Sequence, residues 1–177
     1  MKDITSTTFG LLIAFFLPGL ACFYGLGSWS IAIKNMFDTF LTAQSNIGLF
    51  FLVFAGAVII SLELTLLRWI LFELLLCKSI KFDPNDFHEL GKDEKKLAAF
   101  RAVAEEHYRY HQFWGGMFFA IPVFYIGWLL QIWLTLGCLY KVSLIVALVL
   151  IEFITACGAL KAFKNYITRG KQILKGE

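Results

Sequence analysis

"IGLFFLVFAGAVIISLELTLLRWILFELLL", residues 47–76, carries no charge until Glu63 and only Arg68 and Glu73 after it. A helix needs roughly 20 apolar residues to cross a hydrocarbon core about 30 Å thick. Ile47 to about residue 72 meets that length and leaves several residues over, so the helix is expected to run on past the bilayer. Helix is the conformation required, because lipid offers no partner to an open backbone N–H or C=O.

The rest of the chain has the same character. Of its 177 residues 59% are hydrophobic and 16% charged, against about half apolar and a quarter charged in ordinary soluble domains. Mean hydropathy is +0.71. Three further segments are apolar enough to span: about 9–29, 113–136 and 142–160. The expected fold class is therefore an all-α integral membrane protein, one domain over residues 1–177. It has four transmembrane helices and a helical cytoplasmic segment, 78–112, between helices two and three. Residues 161–177 read as a basic C-terminal tail.

Positive charge concentrates in cytoplasmic loops. Lys78, Lys81, Lys92, Lys95, Lys96, Arg101 and Arg109 lie between spans two and three. Lys161, Lys164, Arg169, Lys171 and Lys175 follow span four, while the other two connections carry only Lys34 and Lys141. The expectation is a multi-pass inner-membrane protein with both termini cytoplasmic and its basic flanks on anionic lipid headgroups. A net charge of +3, confined to those flanks, does not suggest nucleic-acid binding. The first span is too long for a signal-peptide h-region and has no A-x-A site after it; it is expected to be retained. Cys22, Cys77, Cys138 and Cys157 form no CxxC pair, so neither a disulfide framework nor a zinc site is expected.

Within 78–112, Asp83 and Pro84 begin a helix with Asp86 in its first turn, and Gly91 interrupts it. From Lys92 onward Leu97, Phe100, Ala104, His107, Tyr108 and His111 recur at spacings of three and four, an amphipathic pattern.

Charges inside apolar spans are costly and should face protein or water. Glu152, in the middle of span four, is either an ion, proton or substrate site or a hydrogen-bonded contact between helices. Glu63 has the same two readings. Five-residue steps turn an α-helix by about 140°, so Glu63, Arg68 and Glu73 do not share a face; Arg68 and Glu73 are expected at headgroup level, with Arg68 snorkelling. Gln131 is expected to hydrogen-bond between helices. Pro18-Gly19 should kink span one. Ala21/Gly25, Gly116/Ala120 and Thr155/Ala159 have the small-xxx-small spacing of close helix contacts.

"EEHYRYHQFWGG", residues 105–116, gathers carboxylates, imidazoles and aromatics. His107 and His111 are four apart, yet a catalytic zinc takes three protein ligands. HYRYH also lacks the glutamate of HExxH, and only His88 remains, so no metal or cofactor is expected. No GxSxG motif or activated cysteine supplies a nucleophile; an enzyme is not expected. Tyr108, Arg109, Tyr110 and Trp114 read as interfacial anchors, Gly115-Gly116 as a hinge, and His107 and His111 as candidate pH sensors.

"FFLPGLACFYGL", "LRW" and "LAAFRAVAEEHYRYHQFWGGM" together resemble a group of small bacterial inner-membrane proteins with a similar HYRYYQFYGN stretch before the third helix. This chain departs in His111, Trp114 and Gly115-Gly116. The resemblance implies a bacterial source and a four-helix membrane fold, and carries over no catalytic residue. The expected function is a non-enzymatic homo-oligomeric module, channel-like effector or sensor, coupled to a cytosolic protein partner in a bacterial stress or phage-defence setting. The alternative is a small secondary transporter using an intramembrane glutamate.

Overall fold

A computed structural model describes residues 10, 12–42, 47–77, 82, 87, 90, 93–133 and 135–175. They form five helices and, among the described residues, no strand: α1 Leu12–Leu26, α2 Ile31–Leu41, α3 Ile47–Leu76, α4 Glu94–Ile132 and α5 Cys138–Lys175. Three of these, α3, α4 and α5, are long and apolar enough to cross a membrane. A fourth span exists if α1 and α2, bent by 117° at their junction, count as one. The helical start expected at Asp83, Pro84 and Asp86, together with His88 and Gly91, lies outside the described residues.

The first helix differs from its expected form. It runs on through Pro18 and Gly19, and the sharp bend falls later, at the Gly27–Trp29 turn before Ser30. A proline removes one rung of the hydrogen-bond ladder and crowds the preceding turn. Here that turn, Leu12–Phe16, is a π-helix, whose i→i+5 bonds re-space the ladder. Ser61 of α3 donates to the Phe15 carbonyl nearby, and Pro18 is buried.

Small residues set the packing. A Cβ added to Gly19 would sit 2.1 Å from the Ala57 carbonyl oxygen, and one on Gly25 would sit 2.6 Å from the Phe124 Cα. Ala57 and Ala120 are fully buried. The backbone of α1 is thus pressed between α3 and α4, as small side chains allow between helices. Beyond the bend, Phe37 of α2 folds back edge-on against Phe23 and Tyr24.

Helix α4 is a single unit of 39 residues. Asp93 caps it by accepting from the Lys95 and Lys96 amides at 2.9 and 3.2 Å, satisfying two of its otherwise orphaned donors. It continues through a π turn at Ala104–Tyr108 and on to Ile132. The helix is unbroken at Gly115-Gly116. The span expected at 113–136 is the second half of a much longer helix.

Residues 161–175 are likewise not a separate tail but the last turns of the 38-residue α5. Phe163, Ile167 and Leu174 are buried there, and Phe82, Phe100 and Tyr166 meet at ring-centroid distances of 5.4–6.1 Å. An aromatic cap therefore covers one end of the bundle. The other half of α5 is barely packed: only 11% of its most apolar window is buried, against 22% and 28% for α3 and α4.

Candidate functional site

Where the bundle meets the aromatic cap, α3 changes pitch. It is α-helical to Arg68 and π-helical over Trp69–Leu76, ending with the Cys77 amide bonded to the Phe72 carbonyl at 2.9 Å. In a ladder of i→i+5 bonds, residues five apart stack over one another. Glu73 therefore lies over Arg68, and Arg68 Nη1 donates to Glu73 Oε1 at 2.6 Å. This corrects the expectation that the two diverge, and the snorkelling one as well: Arg68 is 2% exposed.

Helix α4 supplies the surroundings. Gly115 lets the arginine stem cross, since a Cβ there would meet Arg68 Cγ at 2.6 Å. The Tyr108 hydroxyl donates to Glu73 Oε1 at 3.3 Å, and the Arg68 guanidinium stands 5.6 Å from the Tyr108 ring centroid. His111 is fully buried. Its Nδ1 is 2.9 Å from the Ala159 carbonyl of α5; a carbonyl only accepts, so Nδ1 carries the proton and donates. Nε2 faces Glu73 Oε1 at 3.5 Å and makes no hydrogen bond among the described residues.

One carboxylate thus gathers groups from α3 and α4, and His111 carries the link to α5. A hollow of about 290 Å³ opens beside it, lined by Trp69, Glu73, Tyr108, Phe163 and Tyr166. The arrangement clamps helices together. Cys77, just past the end of α3, is buried. Burial and then the Glu73 carboxylate push its thiol pKa up, which makes it a poor nucleophile.

His107 lies in the π turn at Ala104–Tyr108 and His111 in the α-helical stretch that follows; no group of three potential metal ligands exists among the described residues. Tyr108 is an internal partner rather than a lipid anchor. Tyr110 is 58% exposed, Arg109 is 3.4 Å from Glu105, and the Trp114 ring covers Gly158 of α5. Gly116 rests on Pro18.

The other expected polar residues lie elsewhere. Gln131 is exposed beside Ser28, Lys34 and Asp38, and makes no interhelical hydrogen bond among the described residues. Glu63 is exposed on the outer face of α3, among Ile59, Leu62, Leu66 and Leu67, themselves 46–61% exposed. Both carboxyl oxygens of Glu152 are buried without a hydrogen-bond partner among the described residues.

The sequence held one unread signal for this site. Opposite charges five apart in an apolar helix are unpaired in an α-helix and paired in a π-helix.

The fold defines a class, an all-helical protein with three or four helices able to cross a membrane. Comparison with protein-family models, curated proteins and solved structures found no match.

Proposed function

We propose that this chain is one subunit of a non-enzymatic, homo-oligomeric membrane module of channel-like action. Its termini and the 78–112 segment are cytoplasmic, and a cytosolic protein partner acts on that segment. The observation that carries the proposal is Glu63, a carboxylate exposed near the middle of an apolar helix whose neighbours are exposed leucines and isoleucine. A charge at that depth belongs against protein or water, and among the described residues no side chain pairs with it. Further copies facing Glu63 would form a ring of carboxylates, a common lining of cation-conducting pores. The thinly packed half of α5 supports assembly as well. The Arg68–Glu73–Tyr108–His111 clamp joins α3 and α4, and through His111 α5, beside the aromatic cap, where a partner's push would reach the bundle.

Purified protein in liposomes should pass monovalent cations, and Glu63→Gln should lower that flux at least tenfold while cross-linked assemblies persist. Light scattering that finds only monomers in several detergents would sink the assembly; unchanged flux in Glu63→Gln would sink the pore. Orientation has its own check. Cys138, exposed at the start of α5, should react with a membrane-impermeant maleimide from outside intact cells, and Cys138→Ser should abolish that signal. Labelling only after lysis would reverse the topology.

A second reading, a small secondary transporter, is favoured by Glu152, whose buried carboxyl oxygens have no hydrogen-bond partner among the described residues. It predicts saturable, substrate-coupled flux that is lost in Glu152→Gln and retained in Glu63→Gln.

A further inference from the structure

A groove of about 560 Å³ runs between α1, α2 and α4, lined only by apolar and aromatic residues such as Leu17, Leu20, Tyr24, Met117 and Phe124. Its volume is that of a small-molecule site, which spans about 300–1,000 Å³. At Phe113 it adjoins a second hollow of about 310 Å³, lined among others by Glu105, Glu106, Arg109 and Tyr110. Along α4 the apolar part extends from Phe113 to Phe124, about 16 Å at the helical rise. One leaflet of a bilayer is about 15 Å of hydrocarbon, half of the whole core. Arg109 stands one helical turn beyond Phe113, where the headgroup of a lipid in that leaflet would lie.

The charges at the polar end select among headgroups. Among the described residues Arg109 is the one cation lining that end, and its guanidinium lies against Gly10 with Glu105 at 3.4 Å. Glu106 is exposed and makes no ion pair among the described residues. The described groups there, two carboxylates and one guanidinium, sum to a net negative charge, a poor match for a lipid of net negative charge. A headgroup carrying both a phosphate and a primary ammonium matches every group present. Arg109 suits the phosphate, and an ammonium has three N–H donors for the carboxylates. A quaternary choline has none.

We propose that this groove and the hollow that meets it at Phe113 together form a binding site for one phospholipid of the phosphatidylethanolamine class. An acyl chain lies along α1 and α4, the phosphate is on Arg109, and the ammonium is between Glu105 and Glu106. The site rests on the membrane placement used above, and not on conduction or on assembly.

The test is native mass spectrometry of the full chain from detergent micelles doped equally with dioleoyl phosphatidylethanolamine, phosphatidylcholine and phosphatidylglycerol. One phosphatidylethanolamine per chain should be retained about tenfold over either competitor, the equivalent of one charge-assisted hydrogen bond. Arg109→Gln combined with Glu106→Gln should erase that preference, whereas Arg109→Lys should keep most of it. Leu20→Trp, which fills the groove, should lower retention of all three lipids. Equal retention by the wild type, or an undiminished preference in the folded double variant, overturns the site. Recovery of the protein in the soluble fraction without detergent overturns the membrane placement itself, which separates the two failures.

Discussion

Arg68→Met should cost about 3–5 kcal/mol of stability, the range for breaking a buried ion pair by removing one partner. Glu73 would lose its guanidinium partner and be left with the Tyr108 hydroxyl at 3.3 Å and His111 Nε2 at 3.5 Å. The companion change is informative. Arg68→Met together with Glu73→Gln removes both charges, and such replacements are often neutral or better, so the double variant should recover most of the loss. Unfolding of the purified protein in detergent, read as a double-mutant cycle, measures both numbers. A single variant within about 0.5 kcal/mol of wild type, as at ordinary surface positions, would mean that Arg68 reaches water and that the buried clamp is wrong.

Gly19→Val carries the second large effect. Its Cβ would come within 2.1 Å of the Ala57 carbonyl oxygen and 2.8 Å of the Ser61 Cβ. The obstacle is largely backbone, which cannot swing aside as a side-chain tip can. Overpacking typically costs about 1–3 kcal/mol; with backbone opposing it, the upper end is expected, along with loosening of α1 from α3. Gly137→Ala is the control, because its nearest neighbour would be Tyr140 Cδ2 at 4.0 Å. It should fall within about 0.5 kcal/mol of wild type. Equal effects at the two positions would show that α1 and α3 are not in close contact.

What could be read from the residues follows from period and polarity. An unbroken apolar run such as residues 47–62 has one stable conformation in lipid, so the helical class was legible. The small residues Ala21, Gly25, Gly116 and Ala120 marked helix contacts that the structure contains. What escaped depended on pitch and on distant neighbours. The π turns at Leu12–Phe16, Trp69–Leu76 and Ala104–Tyr108 break the 3.6-residue period on which the reading relied. One of them hid the pairing of Arg68 with Glu73. The basic residues 161–175 looked like a tail because lysine and arginine predominate, yet Phe163, Ile167 and Leu174 recur at helical spacing and needed only the cap to bury them. Gly115-Gly116 read as flexibility because the arginine stem crossing there comes from a helix more than forty residues earlier.

The unbroken course of α4 has a mechanical meaning. Gly116 seats against Pro18 at the bundle centre, and the helix extends from that point about 33 Å to Glu94 and about 24 Å to Ile132. A stiff rod resting on a pivot with arms of such similar length acts as a lever with little gain or loss. A tilt imposed at the Asp93 end emerges at the far end reversed in direction and about three-quarters in amplitude. The π turn at Ala104–Tyr108 and Pro122, one on each arm, are the points at which such a rod would yield.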